Sequence, residues 1–67
     1  MTRIAFKALS TDRRPDGSSL TVDALQEIAL QMIGKPIDLD GKVHVVTWAR
    51  VERRRHGGAD LVVEAEA

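Results

Sequence analysis

The chain has no cysteine and no tyrosine, and its aromatic side chains are a single phenylalanine, Phe6, and a single tryptophan, Trp48. Without cysteine there is no disulfide staple and no thiolate zinc site. With 67 residues it makes one small domain, residues 1–67. A domain of that size buries only about 60% of the surface its unfolded chain exposes. Assembly, with a partner or with further copies, is then the remaining common way to cover a small core. An excess of charge of one sign is missing too. Ten basic residues face ten acidic ones. The balance holds locally: Arg3, Lys7, Arg13 and Arg14 stand against Asp12, Asp16, Asp23 and Glu27 in the first half. Nucleic-acid binders usually carry a basic excess, so this composition disfavours that class. Long apolar runs are absent as well. The longest helical apolar segment is broken by Gln26, Glu27 and Gln31, so nothing reads as spanning a membrane. Met1-Thr2-Arg3 leads straight into an alternating segment rather than a secretory signal.

What is present is a clear order of elements. Ile4, Phe6 and Ala8 alternate with Arg3, Ala5 and Lys7, which predicts a strand over residues 3–9. Residues 10–19 are rich in Ser, Asp, Arg, Pro and Gly and read as an exposed loop. Thr21 suits a helix N-cap, and Asp23 sits where the helix dipole favours a carboxylate. Val22, Leu25, Ile28, Ala29 and Met32 recur at helical spacing, with Leu30 and Ile33 widening the apolar face. Gly34 and Pro36 then stop a helix over 22–33. A short extended piece at 36–39 and an Asp40-Gly41 turn lead into a strand over 42–54, rich in Val and Thr. Its antiparallel partner runs from 59 or 60 to 65.

A three-residue hairpin loop, His56-Gly57-Gly58, pairs Val51 with Val63, Ala49 with Ala65, Arg50 with Glu64 and Arg54 with Asp60. That register places Val43, Val45, Ala49, Val51, Leu61 and Val63 under the helix. The opposite face then carries His44, Val46, Trp48 and Val62 at its apolar end, and Arg50, Glu52, Arg54, Asp60 and Glu64 towards the hairpin tip. The fold class expected is α+β, one helix packed on a small, mostly antiparallel sheet, in the order β-α-β-β.

Catalytic and metal chemistry find little to build on. His44 and His56 are the only histidines, and zinc needs about four ligands. No serine sits in a Gly-x-Ser-x-Gly elbow, so turn and capping roles account for the hydroxyls. Asp38 and Asp40 are too few for a calcium loop. No catalytic residue, cofactor site or metal site is assigned. Two groups remain as partner-binding candidates. Val46, Trp48 and Val62 form a partly apolar patch, in which Trp48 either makes a contact or caps the edge of a small core. Arg53, Arg54 and Arg55 form the one dense basic run. It either grips an acidic surface or is a solvated tip with Arg54 neutralised by Asp60. Tight phosphate binding would need six or more such contacts, about.

The order of motifs resembles the amino-terminal part of the tailed-phage prohead (capsid maturation) protease family. The residues that carry the likeness are Asp16-Gly17-Ser18 before the helix, Ile33-Gly34-Lys35-Pro36-Ile37 after it, and Gly41-Lys42-Val43 opening a strand. Trp48-Ala49-Arg50-Val51-Glu52 and Asp60-Leu61-Val62-Val63-Glu64-Ala65 complete it. Family members are serine proteases with a histidine shortly after the Lys-Pro and a serine much further along. Here Ile37, Asp38, Leu39 and Asp40 fill that interval, and His44 falls later, on the strand. The family's catalytic residues therefore have no counterparts to carry over. The resemblance implies a non-enzymatic phage virion protein, assembled in the host cytoplasm. It would be a capsid decoration or minor capsid component, bound to the major capsid protein or another virion protein and open to self-association. Its expected surfaces are the N-terminal strand edge, the 10–19 loop and the Trp48 patch. The alternatives are a truncated or split protease, and a small regulatory module touching nucleic acid through Arg53 to Arg55.

Overall fold

The computed structural model describes residues 2–67. It contains strand β1 (Arg3–Ser10), helix α1 (Val22–Met32), and strands β2 (Pro36–Leu39), β3 (Lys42–Arg53) and β4 (Ala59–Glu66). The strands form one antiparallel sheet in the order β1-β4-β3-β2, and α1 lies over β3 and β4 on one face. The α+β class read from the sequence is the class observed. Residues 36–39 join the sheet as a fourth strand, so the order is β-α-β-β-β.

Thr21 caps α1, its hydroxyl accepting the Ala24 N–H at 3.1 Å, with Asp23 in the first turn. The helix stops through a type II turn. Ile33 sits at φ −60°, ψ 126° and Gly34 at φ 85°, and the Lys35 N–H donates to the Met32 carbonyl at 2.9 Å. The second central position of such a turn requires positive φ, which glycine adopts without strain. The freed backbone is used at once. The Gly34 N–H donates to the Val46 carbonyl at 2.8 Å, and the Val46 N–H donates to the Lys35 carbonyl at 2.9 Å. The helix end thus continues the ladder that β2 makes with β3. Asp40 and Gly41 both have positive φ, the pattern of a two-residue type I′ hairpin turn between β2 and β3.

The core lies between α1 and the inner face of the sheet. Leu25, Leu61, Val63 and Val46 are fully enclosed there, with Ala29, Ala49 and Ala59 between them. Burying a side chain such as Leu25 contributes roughly 1.5–3 kcal/mol. Leu30, expected on the apolar stripe, instead faces solvent.

Two features depart from the expected β3–β4 pairing. The hairpin loop has three residues, but they are Arg55, His56 and Gly57. The Arg54 N–H donates to the Gly58 carbonyl at 3.0 Å, and Val51 pairs with Leu61, Ala49 with Val63 and Glu52 with Asp60. From Trp48 to Arg53 each β3 residue therefore meets a partner two positions earlier than expected. A shift of two leaves the inward and outward faces unchanged.

The second departure does invert them. Between Val46 and Trp48 the register jumps, and Thr47 is the extra residue of a β-bulge. Ala49 lies inward on the tip side of the bulge, and His44 and Val46 lie inward on the base side. Val43 and Val45, expected under the helix, are exposed on the other face. Val46 is only 1% exposed and belongs to the core, which corrects its assignment to the contact patch.

Candidate functional site

No element among the described residues covers the face of the sheet turned away from α1, and β3 supplies its apolar part. Val43, Val45 and Trp48 follow one another along the strand, and Trp48 is 53% exposed. The bulge makes this strip. One inserted residue sends Val43 and Val45 to the same side as Trp48. Pro36, opposite Val45 in β2, borders the strip on one flank, and Glu66 and Glu64 of β4 border it on the other. Trp48 thus lies on the outer face, as the sequence indicated, but its neighbours are Val43 and Val45 rather than Val46. Val62 is also lost from the patch. It stands between Lys7 of β1 and Arg50 of β3 in the ladder, and it is buried.

Charges occupy the rest of this face as interlocked pairs. Arg3 donates to Glu66 at 2.7 Å, and Arg50 reaches Glu52 and Glu64, each at 3.0 Å. Exposed pairs of this kind contribute little individually. Their role here is to occupy cations and carboxylates that would otherwise be free.

The hairpin tip holds a denser cluster. Arg54 lies between two carboxylates, donating to Asp12 at 2.6 Å and 3.0 Å and to both oxygens of Asp60. Lys7 approaches Asp60 at 3.5 Å. The Arg54 guanidinium holds the Asp60 and Asp12 carboxyls below their ordinary value, chiefly through these hydrogen bonds. The two carboxylates in turn raise Arg54. The pairing of Arg54 with Asp60, expected as a cross-strand contact, is present, although the two are not directly opposite. Asp12 was not anticipated. It comes from the loop, and only the fold brings it to the tip.

A shallow groove of about 400 Å³ opens beside this cluster, lined by Lys7, Ala8, Leu9, Ser10, Asp12, Arg54 and Asp60. Its two cations and two carboxylates compensate one another. It presents no nucleophile–base pair.

Of the basic run, Arg53 and Arg55 are exposed and Arg54 is committed to the clamp. His44 is buried, its Nδ1 3.1 Å from the Lys42 carbonyl oxygen, and His56 lies exposed in the tip loop. Among the described residues no three His, Cys, Asp or Glu side chains converge as metal ligands, and no helix is long and apolar enough to cross a membrane. Comparison with protein-family models, with curated proteins and with solved structures gives no match for this chain.

Proposed function

We propose that this chain is a non-catalytic structural protein of a phage virion, a capsid decoration or minor capsid component that works by protein–protein binding. The phage setting rests on the sequence resemblance through Gly34-Lys35-Pro36 and the Asp60–Ala65 run. The binding role rests on one observation above the others. Val43, Val45 and Trp48 make an apolar strip on a sheet face that no element among the described residues covers. Large aromatic side chains in such strips dominate contact energies, and repeated copies on a shell multiply a weak contact into firm attachment.

The partner in this reading is the major capsid protein or another virion protein, met face-on by Trp48, with Arg53 and Arg55 exposed at the hairpin tip. The test has two arms. Purified particles are probed for the chain, and the isolated protein is assayed for binding to assembled shells. The expected results are co-purification and capture, with the Trp48→Ala variant folded but no longer captured. A chain absent from particles and monomeric in solution defeats the proposal. So does capture that survives Trp48→Ala.

A further inference from the structure

Strand β1 is paired on one side only. It bonds to β4, and its other edge meets no strand among the described residues. An unpaired edge of this kind is a template for an incoming strand. Its side chains define what that strand must carry. Arg3 and Lys7 project from the outer face, each with 70% of its side chain exposed. They are four residues apart and lie on the same side of the strand. Ile4 and Phe6 project from the inner face and are half-buried, beyond the strands over which α1 lies. The bulge at Ala8 ends the regular run, so a clean ladder on this edge spans Arg3 to Lys7.

From this pattern we infer that the open edge of β1 receives an antiparallel strand of a partner protein reading acidic, apolar, any residue, apolar, acidic. The acidic residues lie opposite Lys7 and Arg3, and the apolar ones lie opposite Phe6 and Ile4. The chain already shows that β1 accepts this chemistry. On its other edge the Arg3–Lys7 stretch faces β4 with Glu66 opposite Arg3, Ala65 and Val63 opposite Ile4 and Phe6, and Val62 opposite Lys7. Lys7 is the more available cation. Asp60, its partner at 3.5 Å, is already held by Arg54. A second copy of β1 fits poorly. Centring two copies on Ala5 sets Arg3 against the partner's Lys7 twice, and like charges directly opposite are destabilising. The virion reading also names this strand edge as a surface, but the inference does not rest on it, and its test reads residues 3–7 and not the Trp48 face.

The probe is a synthetic peptide with the sequence of residues 59–67, titrated into the isotope-labelled protein. The control is the same peptide carrying Asp60→Lys, Glu64→Lys and Glu66→Lys. The expected result is that amide shifts and slowed hydrogen exchange centre on residues 3–7, with the control peptide bound roughly tenfold more weakly. The preference should shrink as salt is added. A protein carrying Arg3→Glu and Lys7→Glu, checked for folding by circular dichroism, should prefer the lysine peptide. The wild-type comparison of the two peptides does not depend on that variant. Silence at millimolar peptide overturns the inference. So does equal binding of both peptides, or shifts centred on Val43 and Trp48. Concentration-dependent dimers that protect β1 without peptide would make a second copy the occupant and overturn it as well.

Discussion

Val45 and Val46 are adjacent, chemically identical, and placed in opposite environments. Val46 is 1% exposed and Val45 is 47% exposed. Neighbours on a strand face opposite sides, and the bulge at Thr47 decides which of the two faces the core, so its placement can be tested without touching it. Val46→Thr keeps the shape but buries a hydroxyl among apolar groups, a cost of about 1–3 kcal/mol. Val45→Thr places the same hydroxyl in water and should stay within about 0.5 kcal/mol of wild type. Urea midpoints of the two variants measure the difference directly. A larger loss for Val45→Thr than for Val46→Thr would mean that the bulge is elsewhere. The sequence could not show this. Val43-His44-Val45-Val46 supports either parity, because a bulge inserts a residue without altering the apolar pattern around it. The alternation on the tip side, Ala49 and Val51 inward and Arg50 and Glu52 outward, was legible because charged and apolar side chains alternate there without ambiguity. The same limit explains the site. Trp48 was legible as an outward residue, but the identity of its neighbours depended on the bulge.

At the scale of elements, two joints carry testable consequences. Gly34 closes α1 at φ 85° with open space where a Cβ would go. Gly34→Ala should therefore cost about 1 kcal/mol from backbone strain alone. Gly58 differs: at φ 78°, an added Cβ would also lie 2.9 Å from the Thr11 hydroxyl. That hydroxyl accepts the Ala59 N–H at 2.9 Å and so extends the β1–β4 pairing beyond Ser10. Gly58→Ala should lower the urea midpoint further than Gly34→Ala, and equal losses would show that the Thr11 contact yields freely. The second joint is electrostatic. Arg54 ties the loop, through Asp12, to β4, through Asp60. Both carboxyls lie below their ordinary value in the folded chain, so their contribution to stability is present above the unfolded pKa and is lost as pH falls through the folded one. Stability should hold down to about pH 4 and decline below it. Arg54→Met should lower the midpoint at neutral pH and flatten that decline. A residual slope should remain from Asp16, which its Ser18 hydrogen bonds also hold low. An unchanged acid limb in Arg54→Met would show that the clamp does not couple to folding. The helix itself was legible to within a residue, because cap, periodicity and stop agree. The clamp was not, because Asp12 and Arg54 are 42 positions apart and no local pattern joins them.

Across the whole molecule, pairing is uneven. β4 is bonded on both sides, to β1 from Arg3 to Ser10 and to β3 from Val45 to Arg53. β2 covers only the Lys42–Val45 end of β3, so the stretch from Ala49 to Arg53 keeps one edge open. Placing a strand from the end of the chain in the middle of the sheet also means that Arg3 and Glu66 must meet before the core is complete. Such long-range closure makes folding slow for a chain this short. Local opening should therefore begin at β2 and at the β3 tip edge, while β4 exchanges only through global unfolding. Native-state hydrogen exchange tests this. The slowest amides should belong to Leu61, Val62 and Val63, with free energies equal to the global value from denaturant. Residues 50 and 52 should differ from 49 and 51, because successive β3 amides point alternately into the ladder and out of the open edge. If the slowest amides lie in α1 instead, the helix rather than the central strand organises the domain. Truncation through Ser10 would then leave a folded remnant, whereas a β4-centred domain loses its structure when β1 is removed.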